Sequence, residues 1–321
     1  MVRILSAVVL AAVTAMPVAA QDKPSNTEFI APASPGGGWD FICRTVAKRM
    51  REQDLVDGAM QVTNMTGGGV AFAYVMTKRS DDASLIVAAS NGTTTRLAQG
   101  AYPGATEDDV RWLASFGAEY GVVAVDADSE IQGLSQLVAM MKEDPRSVSF
   151  AGGSAVGGYD HLKILMMAKE AELEDVRQVK YVAFSGGGEA MTQVLSGAIT
   201  AFSGDFSEVR GFVDSGDIKI LAVLAPERLQ DFDQYPTAKE QGINVVGANW
   251  RGLYVPKGIS DEQYAFWQGA VEKMVASEEF KEIRAAAGIE PLDLFGAEAQ
   301  AYVSDNVAEI RALSKEIGLI Q

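Results

Sequence analysis

Cysteine and histidine are nearly missing from this chain, with one of each among 321 residues. An intramolecular disulfide is therefore impossible, and Cys-rich zinc sites, iron–sulfur ligation and histidine-cluster metal centres are excluded because each needs several such residues. Oxygen-ligated calcium or magnesium stays open in principle, but no D-x-[DN]-x-[DN]-G loop is present, so no resident metal and no cofactor is expected. Basic residues are scarce too: 27 Lys and Arg stand against 43 Asp and Glu, a net charge of −16. Such a chain repels phosphate backbones, which argues against unspecific binding of nucleic acid or of an anionic membrane. Any anionic ligand has to be held by local features. No apolar run approaches the roughly 20 residues that span a bilayer.

The first 20 residues carry Arg3, an apolar stretch over residues 4–13 and the small-residue ending Val18, Ala19, Ala20. That order of charge, apolar core and small residues reads as a secretory signal, with cleavage expected after Ala20. Cys43, alone in an exported chain, is expected to be a small buried apolar residue rather than a reactive thiol.

The rest alternates strand and helix signals. Residues 28–33 read as a buried strand, and residues 39–51 place Phe41, Ile42, Val46, Ala47 and Met50 on one helical face. Strands are expected at 60–63, 85–89, 121–125, 148–151, 179–184, 199–202, 218–224 and 252–255. Helices are expected at 70–78, 93–99, 134–141, 160–172, 190–196 and 206–214, over a Pro-started segment at 236–242, and near 261–277, 278–287 and 298–316. Strands alternating with helices predict an α/β fold of βαβ units on parallel sheet. No Pro-rich or low-complexity linker divides the chain, which suggests domains joined by crossing strands.

Glycine clusters recur where strands should give way to helices: 36–38, 67–69, 152–158 and 186–188. A helix N-terminus carries unpaired N–H groups and about half a positive charge, and glycine lets a ligand approach that backbone. Each cluster alone could equally be turn punctuation. None forms a clean G-x-G-x-x-G after the first strand, and none precedes Lys-Ser or Lys-Thr, so dinucleotide and P-loop sites fail. A secreted serine hydrolase using Ser154 with His161 is the rival from another class. However, Gly152-Gly153-Ser154-Ala155-Val156 breaks the G-x-S-x-G elbow, and His161 follows in the same turn. Asp40, Asp160 and Asp205 stand at expected helix starts, where capping competes with any acid or base role. Ser90, Asn91 and the run Thr93-Thr94-Thr95 offer short polar donors, either to an oxygen-rich ligand or as ordinary caps. Arg44, Arg96 and Arg251 are the cations nearest these loops, and Trp250-Arg251 could close a cleft or lie in a hinge.

The run Ala31-Pro32-Ala33-Ser34-Pro35-Gly36-Gly37-Gly38-Trp39-Asp40, followed by Cys43-Arg44, resembles the first strand and loop of the substrate-binding receptors of tripartite tricarboxylate transporters, the TctC or Bug receptors. Further matches follow in order: Val62-Thr63-Asn64-Met65 with the glycines at 67–69, Asp108-Asp109-Val110-Arg111-Trp112-Leu113, Tyr181-Val182-Ala183-Phe184-Ser185-Gly186-Gly187-Gly188-Glu189, Ser203-Gly204-Asp205, Leu221-Ala222-Val223-Leu224, the segment 236–242 and Trp250-Arg251-Gly252-Leu253-Tyr254-Val255-Pro256. The series covers essentially the whole mature chain and is most similar to the citrate branch. The resemblance implies a two-lobed type II periplasmic binding protein, a Venus-flytrap of two mixed sheets flanked by helices. Residues 21–118 with 251–321 would form one lobe, and 119–250 the other, hinged near 116–122 and 249–254. It also implies a non-enzymatic, monomeric periplasmic receptor that captures a small di- or tricarboxylate and delivers it to a membrane permease of large and small subunits. A receptor presenting its ligand to a sensor kinase is the variant of that reading. Carried over residue by residue, Ser34, Gly36, Gly37, Gly38, Trp39 and Asp40, with Ser90, Asn91 and Thr94, would be the first-lobe clamp. Ser154, Gly157, Ser185, Gly186, Gly187, Gly188 and Asp205 would be the second, with Asp205 accepting a hydrogen bond from a ligand hydroxyl.

Overall fold

The structure, a computed structural model, describes residues 23–321 apart from Ser34, Gly36, Gly37, Thr66, Gly67, Pro103 and Ala287. The expected signal segment and its cleavage point after Ala20 lie outside the described residues. The first part of the chain runs β1 (Glu28–Ala31), α1 (Gly38–Glu52), β2 (Gln61–Asn64), α2 (Gly68–Lys78), β3 (Leu85–Ser90), α3 (Asn91–Ala98) and the long strand β4 (Val110–Asp126). Next come α4 (Leu134–Glu143), β5 (Ser149–Gly152), α5 (Tyr159–Glu170), β6 (Lys180–Ala183), α6 (Gly187–Leu195), β7 (Ala201–Asp205), α7 (Phe206–Ser215) and β8 (Ile218–Val223). The chain ends with β9 (Ala248–Pro256), α8 (Asp261–Ala276), α9 (Glu278–Ala286), β10 (Glu290–Phe295) and α10 (Ala297–Glu316).

Two sheets form, and β4 belongs to both. In the first, β1 lies parallel between β2 and β3, and β9 runs antiparallel to both β3 and β4, with β10 also on β4. In the second, β5 lies parallel between β6 and β7, and β4 continues antiparallel to β7 and β8. Strands covered on both faces read as near-continuous apolar runs, and all six residues of β3 are buried. Helix α1 puts Ile42, Cys43, Val46 and Met50 against Phe29, Leu253 and Trp267, and Cys43 is fully buried, as expected of a small apolar residue. In the second sheet, Val123, Phe150, Leu137 and Ile164 share another core. Helix α8 starts with a capping box in which Ser260 and Gln263 exchange side-chain-to-backbone hydrogen bonds.

Three local expectations are corrected. Residues 110–126 form one strand, where a segment at 112–118 followed by a new strand at 121–125 was expected. Gly117 and Gly121 are not breaks: Gly117 sits at a register shift against β9, and a Cβ on Gly121 would lie 2.6 Å from Lys163 Cδ. Residues 236–242 form only a short 3-10 turn at Lys239–Gln241. The Val223 N–H donates to the Pro236 carbonyl and the Ala238 N–H to the Val223 carbonyl, which ties this segment to the end of β8 and denies it helical bonds. Strand β10 was missed because its short, proline-bearing sequence carries little apolar signal.

Candidate functional site

The carboxyl ends of the parallel strands in both sheets turn toward the stretch of β4 around Ala118 and Gly121. There β4 leaves β9, pairing Tyr120 with Ala248, and joins β7, pairing Gly121 with Asp205. In open α/β sheets the crevice at those strand ends is where ligands bind. Helices α1, α2 and α3 start at this end of the first sheet, and α5 and α6 start at that end of the second.

Of the first-lobe candidates, Ser34, Gly36 and Gly37 lie outside the described residues. Gly38 opens α1, and Trp39 is nine-tenths buried. The Asp40 carboxylate accepts from Asn64 Nδ2 at 2.9 Å and pairs with Arg44 at 2.9 Å, so it fastens α1 to the end of β2. Ser90 caps α3 by accepting the Gly92 N–H. Asn91 is structural in every direction: it donates to Ala248 O, receives the Trp250 N–H and takes Asn249 Oδ1 on its own N–H. Thr94 is fully buried and donates to Asn306 Oδ1 at 2.7 Å, so its hydroxyl serves the α3–α10 contact.

At the strand ends of the second sheet, Ser154 Oγ accepts the Asp160 N–H at 3.0 Å and caps α5. Gly157 adopts φ +78°, gives its N–H to His161 Nδ1 at 3.0 Å and accepts from Gln99, just past α3. His161 stacks on Tyr181 with ring centroids 4.7 Å apart, and burial pulls its pKa down to about 4. The hydrolase arrangement is thereby corrected. No hydrogen bond joins Ser154 to His161 among the described residues, since the hydroxyl is a cap and the imidazole accepts a backbone N–H. Asp160 does not cap α5 with its carboxylate, which pairs with Lys163 at 3.0 Å.

The glycines divide by surroundings. A Cβ on Gly153 would lie 2.9 Å from Gly186 C and Gly187 N, and one on Gly187 would lie 2.6 Å from Glu208 Cβ. These two positions are glycine for close packing. Gly186 and Gly188 have open space there, and Ser185 is exposed with its N–H given to Glu189.

Beneath the loops lies a buried ionic cluster that local sequence pattern did not reveal. Lys163, without exposed surface, bonds Asp205 at 2.8 Å and Asp160 at 3.0 Å. Asp205 also accepts from Asn249 at 2.5 Å and from Arg251 Nη2 at 2.9 Å, so both carboxylate oxygens are committed. That corrects its assignment as acceptor of a ligand hydroxyl. Arg251 Nε donates to Glu119 at 2.8 Å, and Ser207 Oγ donates to the other Glu119 oxygen at 2.5 Å. Glu208 accepts the Gly187 N–H at 3.2 Å and the Asp205 N–H at 3.0 Å, joining the α6 loop to the α7 start. Burial disfavours the Asp205 carboxylate, but Lys163 and Arg251 outweigh it and hold its pKa low. Burial pushes Glu119 up, and burial with the charges of Asp160 and Asp205 pushes Glu208 up to about 8. Trp250 is a fully buried core residue, while its neighbour Arg251 belongs to this cluster.

Two sheets sharing one crossing strand, with helix starts converging there, define the periplasmic-binding-protein fold. Residues 42–319 match the TctC family, described as the tripartite tricarboxylate transporter family receptor, and the chain belongs to that family. It is accordingly a substrate-binding receptor and not an enzyme. The protein BugT of Bordetella pertussis is 24% identical over 313 residues, covering 95% of this chain and 93% of that one. Among solved structures, Rpa4515 of Rhodopseudomonas palustris with adipate superposes with a TM-score of 0.81 at 18% identity, covering 92% of this chain and 99% of that one. MatC of Rhodopseudomonas palustris with bound malate gives a TM-score of 0.78 at 17% identity, covering 90% and 98%. At such identities the two structures establish the shared fold.

Proposed function

We propose that this receptor captures a small di- or tricarboxylate, citrate-like in size and charge, between lobes formed by residues 21–118 with 251–321 and by residues 119–250. It then delivers the ligand to a membrane permease of large and small subunits. In this reading the chain is exported, cleaved after Ala20 and works as a monomer in the periplasm, closing by flexure near residues 116–122 and 249–254. The observation that carries it is the convergence of five helix N-termini on the crevice at the β4 crossing, which favours a compact anion without a surplus of Lys or Arg. The malate and adipate bound to the two R. palustris relatives are both dicarboxylates, which supports the ligand class. Ser34, Gly36, Gly37 and the start of α1 at Gly38, Trp39 and Asp40, with Ser90, Ser185, Gly186 and Gly188, would face the ligand. Asn91, Thr94, Ser154, Gly157, Gly187 and Asp205 would shape the floor beneath it.

A thermal-shift panel of citrate, tricarballylate, aconitate, succinate, malate, adipate and glutamate on the mature chain tests the reading. Ligand at 100 times its dissociation constant adds about 2.7 kcal/mol, a rise of about 4 °C for a chain of this length. Silence across the panel, with no carboxylate released on denaturation, refutes the carboxylate assignment.

A further inference from the structure

We propose that Arg251 is the ligand-reading cation of this receptor: its guanidinium, held by Glu119 and Asp205 through Nε and Nη2, presents its free Nη1 to one carboxylate of the bound ligand. The inference rests on the carboxylate reading above and names the residue that supplies the charge.

Arg251 stands at the cleft end of β9, in register with Ser90 of β3 and Gly117 of β4. Its Nε and Nη2 bond Glu119, and Nη2 also bonds Asp205, so the fork is fixed on two sides by residues of β4 and of the second sheet. Nη1 makes no hydrogen bond among the described residues. It is not one of the sealed, unpaired polar atoms either, and the side chain keeps 8% of its surface. The guanidinium carbon lies 5.0 Å from the ring centroid of Trp39, in the first turn of α1, which holds the planar group by cation–π contact. A nine-tenths-buried arginine with one unused nitrogen thus sits against the first turn of α1.

The other cation of the cluster cannot do this work. Lys163 has no exposed surface and is engaged by both Asp160 and Asp205. Arg251 suits the task because a guanidinium cannot lose its charge and its Nη1 still carries unused N–H donors for a charge-assisted hydrogen bond to a carboxylate oxygen. Glu119 and Asp205 fix its orientation before the ligand arrives, and they compete with the ligand for the same charge. Neutralising Glu119 should therefore strengthen ligand binding, a sign opposite to that of a mere structural defect.

The test is calorimetric titration of the mature chain with malate, adipate and citrate, alongside thermal unfolding, for the wild type and three variants. Glu119→Gln is expected to tighten binding severalfold. Arg251→Gln with Glu119→Gln, which leaves no buried Glu119 charge unpaired, is expected to weaken it about tenfold to a hundredfold, the worth of a charge-assisted hydrogen bond, at a Tm close to that of Glu119→Gln alone. Arg251→Lys is expected to restore part of the loss. Unchanged affinity in the double variant, or a loss that tracks the drop in Tm across all three variants, overturns the proposal. A wild type that binds none of the three acids overturns the carboxylate reading itself, and is distinguishable because no variant comparison is then needed.

Discussion

Replacing Lys163 with methionine tests the buried ionic cluster as a structural unit. The Lys163 Nζ has no exposed surface, lies 2.8 Å from Asp205 and 3.0 Å from Asp160, and sits 5.5 Å from the Tyr159 ring centroid. Burial alone would lower its pKa, but the two carboxylates reverse that and hold the ammonium charged. Methionine keeps most of the side-chain volume while removing the charge, so packing changes little. The cost arises from the partners: Asp160 loses its cation, and Asp205 keeps only Arg251 and Asn249. Removing one member of a buried pair costs about 3–5 kcal/mol. With unfolding entropy near 2.1 cal/mol/K per residue, or about 0.6 kcal/mol/K here, the expected fall in Tm is about 5–8 °C by calorimetry at pH 7. Adding Asp160→Asn should recover at least about 1 kcal/mol, because it removes the carboxylate left without a counter-charge. A Lys163→Met loss below about 1 kcal/mol, or strict additivity in the double variant, would refute the claim that these charges act as one unit.

His161, whose pKa burial lowers to about 4, binds its proton more readily in the unfolded chain, so its contribution to stability should be lost as pH falls from about 6.5 toward 4. Glu208, raised to about 8, should act in the opposite direction, with stability falling as pH rises from about 4.5 to 8. Denaturant titrations of His161→Gln and Glu208→Gln against wild type across pH 4–9 check both signs, and a Glu208→Gln difference that does not change with pH would reject the second. Gly153→Val should destabilise the protein through contact with the Gly186 and Gly187 backbone, while Gly188→Ala, with open space at its Cβ, should leave Tm unchanged and weaken carboxylate binding. Full affinity in Gly188→Ala would remove the 185–188 loop from the ligand contact.

The alternation of strand and helix was legible because strands such as β3 are buried on both faces and carry no polar register to confuse their reading. The glycine clusters marked the strand ends for the same local reason. What a glycine does there was not legible, since Gly153 and Gly188 look alike in sequence and differ only in whether another backbone comes within 3 Å. The ionic cluster is joined across 42 residues between Lys163 and Asp205, and across 132 between Glu119 and Arg251, so no spacing rule links its members. A signal was nonetheless present. Lys163 interrupts a buried run of α5, between Leu162 and Ile164-Leu165, and Glu119 sits inside a strand of apolar and small residues. A lone charge in a segment that is otherwise wholly buried has to find a partner.

The acidity of the chain and the anionic character of its proposed ligand are reconciled by distance and burial. At physiological ionic strength the screening length is about 8 Å, so carboxylates spread over the surface contribute little at the cleft floor. What a ligand meets there are helix N-termini, each worth about half a positive charge, above a cluster of two cations and four acids. One of those acids, Glu208, is raised to about 8 by burial and by the charges of Asp160 and Asp205, which lessens the excess of negative charge without any added Lys or Arg, while Glu119, also raised by burial, is countered by its pairing with Arg251. The floor therefore carries less negative charge than its four acids imply, beneath a rim of helix N-termini, although the chain as a whole carries −16. The same burial that raises Glu119 also fixes the guanidinium of Arg251, so charge balance and the orientation of the proposed ligand-reading group depend on the same few contacts at the crossing of the two sheets.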